Sequence, residues 1–225
     1  ANDNPKTKSH KEKYMLKVLR GILFVLMLAA PGHAANIAPA FTHTFGHEGG
    51  FQAKHTDSGN WTGGKIGVGE LKGTKYGISA ASYPREDIRN LTPDRAAFIY
   101  RNDFWGASHC DLWKSQIIAN LYFDLAVNTG QGTAARIIQR AVNLAGWPRP
   151  PITVDGVIGK GTVTRLNEVD QVNLFCNLVG LAHARYVQIV DANPARMEFM
   201  PEWVGRRLRQ NVQRSMHEYE LARGH

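Results

Sequence analysis

The stretch SQIIANLYFDLAVNTG, residues 115–130, is apolar around nearly its whole circumference. A helix at a protein surface carries its apolar side chains on one stripe, whereas a helix apolar on all sides has to be enclosed by other elements. A buried central helix therefore dictates the architecture, because the rest of the chain must supply what surrounds it. Helical partners are written on both sides. GTAARIIQRAVNLAG (132–146) is amphipathic and closed by Gly146. LTPDRAAFIYRNDFW (91–105) opens with Thr92 as cap, Pro93 in the first turn and Asp94 facing the positive helix end. Residues 171–191 and 201–222 read as two long helices with a turn at Asn193–Pro194. In NIAPAFTHTFGHE (36–48), Asn36 can cap a helix whose Ile37, Phe41, Thr44, Phe45 and Glu48 recur at three- and four-residue steps.

Two stretches break this helical pattern. Residues 51–75 contain Gly59, Gly63, Gly64, Gly67, Gly69 and Gly73, with Ile66 and Val68 as their β-branched aliphatics, which predicts turns and short hairpins. WPRPP (147–151) interrupts the chain, and ITVDGVIGKGTVTRLNEV (152–169) reads as a turn entering a short helix. There, Asp155–Gly156 predicts a tight turn, and Gly159 and Gly161 would allow close packing before the helix. The fold class expected is α+β, mainly α, with one small β-hairpin lobe.

The first 34 residues differ from the rest. Lys6, Lys8, Lys11, Lys13, Lys17 and Arg20 precede GILFVLMLAA (21–30), and PGHA follows. A basic lead, a short apolar run and a small-residue exit form the pattern of a secretory signal, with a retained anchor as the alternative. The apolar run of 10 residues is shorter than the ~20 that span a bilayer. Met15 is a candidate start. Residues 1–34 hold six of the 27 Lys/Arg and two of the 19 Asp/Glu, leaving 21 against 17 beyond, a net of +4. Mild positive charge suits a polyanionic partner such as cell wall. No basic run interleaved with aromatics points to nucleic acid. Cys110 and Cys176 are too few for a disulfide framework; one bridge and two buried thiols are both open.

The densest chemistry lies in FGHEGGFQAKHTDSGNWTGG, residues 45–64. Gly49 can simply end the helix, leaving Glu48 a surface acid. Yet a carboxylate at a helix C-terminus meets the negative end of the dipole, which disfavours its ionised form. His47 and Phe51 add desolvation in the same direction. Asp57 comes nine residues after Glu48, across a flexible turn. Two carboxylates flanking a gap are what glycosidic bond cleavage requires, one as proton donor and the other as stabiliser, base or nucleophile.

HEGGF followed by Asp57 and by GTKYGIS (73–79) resembles glycoside hydrolase family 108, the N-acetylmuramidases of phage endolysins and secretion-assisting lysozymes. The likeness continues through FDLAVNTGQGTAARIIQRAVN (123–143) and reaches VDGVIGKGTVTRLN (154–167), which looks like the peptidoglycan-binding segment that often follows. The resemblance implies a lysozyme-like fold, with Glu48 as general acid and Asp57 as the second carboxylate. A threonine completes such sites. Thr62 lies near the expected spacing, and Thr74 fits the Gly-Thr-x-Tyr-Gly-Ile pattern if residues 60–72 are an inserted hairpin; Thr74 is favoured. The segments implied are a signal or signal-anchor at 1–34, a lysozyme-like region at 35–146 and a C-terminal region at 147–225, which could pack with it as one domain. The implied activity cleaves the β-1,4 bond between N-acetylmuramic acid and N-acetylglucosamine without a cofactor. Peptidoglycan is the implied partner of a monomer, secreted or periplasmic, with transient membrane association through its N-terminal segment. A lytic transglycosylase, which uses one essential glutamate, and a non-catalytic wall-binding protein are the rival readings.

Other groups carry weaker signals. His43, His47 and His55 could bind zinc, but the His-Glu-x-x-His motif needs histidine at position 51, which is Phe. No metal is expected. Trp61, Tyr76, Trp105 and Tyr122 could stack on sugar faces or fill the core, Tyr76 being the leading candidate. Asn128 could bond an N-acetyl group or serve its helix end. Arg206, Arg207 and Arg209 read as a solvated helix face, with anionic wall polymer as the alternative.

Overall fold

The computed structural model describes residues 34–45, 50–209 and 212–213. The N-terminal basic and apolar segment, His47, Glu48, Gly49 and most of residues 210–225, where the sequence predicts the end of a last helix, lie outside the described residues, as do the side chains of His43, Arg206 and Arg207. The protein is mostly helical with one two-stranded antiparallel sheet, the α+β class expected. It divides into two compact units. One is Asn36–Cys110; the other runs from Asp111 onward together with the residues just before Asn36.

The first unit opens with α1, Ile37–Phe45, whose Asn36 side chain accepts from the Ala38 N–H at 2.8 Å. The glycine-rich segment then folds as turns. Trp61 and Leu71 bridge the base of a hairpin, the Thr62 N–H donates to the Glu70 carbonyl, and the Gly63 N–H reaches Val68. Its tip exposes Ile66 and Val68. β1 (Thr74–Lys75) and β2 (Ile78–Ser79) pair with Lys75 opposite Ile78. Between them Tyr76 and Gly77 both have positive φ, 51° and 74°, the mark of a type I′ turn. Tyrosine is strained at such a φ; the Tyr100 hydroxyl helps hold it by donating to the Tyr76 carbonyl at 3.1 Å.

α2, Pro93–Ile99, starts as expected, with the Thr92 hydroxyl accepting from the Arg95 N–H. It ends earlier than expected, because Tyr100–Gly106 winds as a π-helix. Winding with i→i+5 bonds brings residues five apart toward one side, and Tyr100 and Trp105 are both buried.

The second unit is built on α3, Gln116–Thr129, capped by Ser115. Ten consecutive residues, Ile117–Ala126, are buried, as an all-round apolar helix requires. α4 (Gln131–Ala145) packs on α3 and on α6 (Gln171–Ala192), whose Leu174, Leu178, Ala182, Tyr186 and Val190 form a buried stripe at four-residue spacing. α5, Lys160–Glu168, sits between them in sequence. A π-helix at Pro201–Leu208 follows, with Trp203 stacked on Tyr186.

Three expectations change here. Trp105 and Tyr122 are each 1% exposed, so both are core residues rather than sugar platforms. Gly159 and Gly161 have open space where a Cβ would stand. The glycine the turn needs is Gly156, with φ of 85° and the Arg136 guanidinium against it. Cys110 is buried and Cys176 exposed, and both are thiols.

Candidate functional site

Asp57 is exposed and caps the short 3-10 turn Ser58–Asn60, its Oδ1 accepting from the Gly59 N–H at 2.9 Å. That is a structural use, and it fixes the carboxylate's orientation. The other oxygen, Oδ2, accepts from Gln52 Nε2 at 3.3 Å.

Gln52 leads to the centre of the site. Its Nε2 also donates to Asn60 Oδ1 at 3.1 Å, and its Oε1 accepts from Asn60 Nδ2 at 2.8 Å. The two amides thus make a reciprocal pair. Asn60 is fully buried, and its second Nδ2 proton goes to the Lys54 carbonyl at 3.0 Å. Asn60 Oδ1 also accepts from the Thr74 hydroxyl at 2.7 Å. The path from Asp57 to Thr74 therefore runs Asp57, Gln52, Asn60, Thr74, with every amide hydrogen and oxygen occupied. Buried polar groups satisfied in this way hold one geometry.

The backbone locks the same parts. Gln52 and Thr74 exchange hydrogen bonds at 2.9 and 2.8 Å, and the Asn60 carbonyl accepts from the Lys72 and Gly73 N–H groups at 3.0 Å each. A Cβ on Gly73 would stand 2.4 Å from the Gln52 carbonyl, so only glycine permits this approach.

These contacts separate the two threonines. Thr62 belongs to the hairpin, its hydroxyl accepting from the Glu70 N–H at 2.9 Å. Thr74 stands beyond the hairpin and joins the Asp57 network. Between the two threonines lies a hairpin with its base at Trp61 and Leu71.

The remaining candidates are spread out. Trp61 is half-buried, its indole N–H donating to the His55 carbonyl at 3.0 Å, with the His55 ring edge-on at 5.9 Å. Tyr76 is half-buried in its strained turn, with Lys75 Nζ 5.4 Å from its ring centre. Asn128 lies on α3 in the other unit, its amide donating to the Asp124 carbonyl at 2.7 Å, the service to its own helix that was one of its two expected roles. Glu48 lies outside the described residues. Among the described residues, no cluster of three His, Cys, Asp or Glu could hold a metal.

Sequence reasoning missed Gln52 and Asn60. Their only signal was an amide on either side of Asp57 in a segment without periodicity.

Residues 41–130 match the family model for glycosyl hydrolase 108. They form a glycosyl hydrolase 108 domain. Residues 133–208 match the model described as a predicted peptidoglycan domain. The hydrolase domain thus contains Gln52, Asp57, Asn60 and Thr74, and also Asn128 on α3, while the peptidoglycan domain holds the Asp155–Gly156 turn. Among solved structures, Brucella abortus SagA is similar in fold, with a TM-score of 0.61 at 22% identity over 80% of this chain and 94% of that chain. Among curated proteins none matches. A glycosyl hydrolase 108 domain joined to a peptidoglycan domain supports a peptidoglycan hydrolase.

Proposed function

We propose that the protein is an N-acetylmuramidase that cuts the β-1,4 bond between N-acetylmuramic acid and N-acetylglucosamine in peptidoglycan. Glu48 donates its proton to the leaving glycosidic oxygen. Asp57 supports the oxocarbenium-like centre or directs water toward it. Thr74 acts at one remove, holding Asn60, and through it Gln52, against the carboxylate. Tyr76 and Trp61 offer half-buried rings to the sugars. The two carboxylates and water suffice, so no cofactor is assigned. The protein acts on the wall, outside the cytoplasm, and the basic and apolar segment at 1–34 takes it there.

The observation that carries this reading is the amide pair joining Asp57 to Thr74 within the hydrolase domain. An acid that merely capped a turn would not need a buried asparagine and a glutamine to hold its free oxygen. The test is loss of turbidity of purified sacculi. Glu48→Gln is expected to slow lysis by about 10²–10⁴-fold, the usual contribution of a general acid. Equal rates would end the proposal. Mass analysis of the products distinguishes the chemistry: hydrolysis leaves reducing muramic acid ends, and anhydro-sugar ends would mark a lytic transglycosylase instead.

A further inference from the structure

The peptidoglycan domain displays a tryptophan almost wholly to solvent. Trp147 is 82% exposed, on the turn that leaves α4. An indole left in water costs free energy unless something covers it. A floppy surface loop could carry one without consequence, but this turn is braced. The Gly146 N–H donates to the Val142 carbonyl and the Arg149 N–H to the Gly146 carbonyl, each at 2.9 Å. Asn143 clamps the far end, its Nδ2 donating to the Ile152 carbonyl at 2.9 Å and its Oδ1 accepting from the Ile152 N–H at 2.8 Å. Arg149 pairs with Glu168 at 3.5 Å. Residues 146–152 are therefore tied to α4 and to α5, and Trp147 stands on a fixed mount.

The helix below it continues the surface. Arg136, Arg140 and Leu144 are spaced four apart and so share one face of α4, leading up to Trp147. Arg140 is exposed, and Leu144 is 57% exposed. Arg136 is committed elsewhere, donating to the Gly132 carbonyl and packing against Gly156. What remains is a guanidinium and an aliphatic side chain on one helix face, followed by an exposed indole on the braced turn.

We infer that this set, Arg140, Leu144 and Trp147, is where the second domain grips a peptidoglycan strand: a sugar ring lies on the Trp147 indole and a stem-peptide carboxylate meets Arg140. The inference rests on the wall being the substrate, and it locates the grip on that substrate outside the hydrolase domain. Sugar rings present C–H faces that cover an aromatic plane, and stem peptides carry carboxylates that a guanidinium pairs in charge and shape. The match of residues 133–208 to a peptidoglycan domain supplies the class of occupant. A sugar platform has to be stiff to gain from stacking, because an ordered ring loses little freedom on binding.

The test separates this grip from catalysis. The full chain carrying Glu48→Gln is mixed with purified sacculi and the fraction retained on sedimentation is measured, with Trp147→Ala, Trp147→Phe and Arg140→Gln added singly. Loss of an anchoring tryptophan is expected to weaken retention by about tenfold or more, with Phe recovering part of it. Hydrolysis of a short soluble glycan by Trp147→Ala with Glu48 intact should be unchanged. Retention equal to that of the parent overturns the inference. So does a Trp147→Ala effect confined to anionic phospholipid vesicles. Should Trp147→Ala lower the melting temperature, the wild-type indole N–H resonance, assigned by its absence in Trp147→Phe, decides. It shifts on titration with soluble disaccharide-tetrapeptide if the inference holds and stays in place if it does not. If Glu48→Gln leaves lysis intact, the muramidase proposal fails while the retention result keeps its meaning.

Discussion

Replacing Asn60 by Ala tests whether the amide network is the frame of the site. Asn60 is fully buried and makes four side-chain hydrogen bonds, to Gln52 twice, to the Lys54 carbonyl and to the Thr74 hydroxyl. A hydrogen bond contributes about 0.5–1.5 kcal/mol net, and a buried group left unsatisfied costs about 1–3 kcal/mol. Gln52 and Thr74 are half-buried and Lys54 is exposed, so water can recover part of the loss. The sum is about 3 kcal/mol. With a urea slope of about 2 kcal/mol per molar, the midpoint of unfolding should fall by about 1.5 M. Thr74→Val removes one of the four bonds and should cost about 1 kcal/mol. The two changes share a partner, so the double variant should cost less than the sum of the singles. Wall lysis by Asn60→Ala, measured where the protein is still folded, should fall as well, because Asp57 loses its brace through Gln52. A midpoint shift under about 0.5 M would refute the packing argument. A large shift with normal lysis would show that the network supports the fold and not the reaction.

Glycine substitutions separate strain from free space. Gly156→Ala forces an alanine to φ of 85° against Arg136 and should destabilise by about 1–2 kcal/mol. Gly180→Ala, in the middle of α6 with nothing near its added Cβ, should stabilise by up to about 1 kcal/mol. Thermal melting of both checks the contrast, and equal signs would contradict it. Asp155 gives a pH prediction. Its carboxylate accepts from Gln139 and from the Val157 N–H, and these bonds hold its pKa below the ordinary aspartate range. A depressed folded value means stability that is full above the unfolded pKa and lost as pH falls through the folded one. Asp155→Asn keeps an accepting oxygen without the charge, so its stability should be flatter in acid than that of the parent in urea titrations at several pH values.

The helical frame was legible because burial writes periodicity into sequence. α3 announced itself by being apolar on every side, and Thr92 is a cap whose hydroxyl acts as its type suggests. The π-helix at Tyr100–Gly106 was not legible, since its residues would serve an α-helix as well and only the inward placement of Trp105 tells them apart. Asp57 and Thr74 could be singled out by residue type and pattern. Gln52 and Asn60 could not, because what joins them is contact across a turn with no repeat. Trp105 and Trp147 show the limit most plainly: one is core and the other surface, and nothing in either side chain distinguishes them.

The base of the 61–71 hairpin is sealed at Trp61 and Leu71, and the Asn60 carbonyl is tied to Lys72 and Gly73 just beyond. The protruding arm is consequently mechanically separate from the residues it interrupts. Its outer end could be lengthened, shortened or swapped for another loop without moving either flank, which makes the Lys65–Val68 stretch a permissive point for grafting foreign sequence.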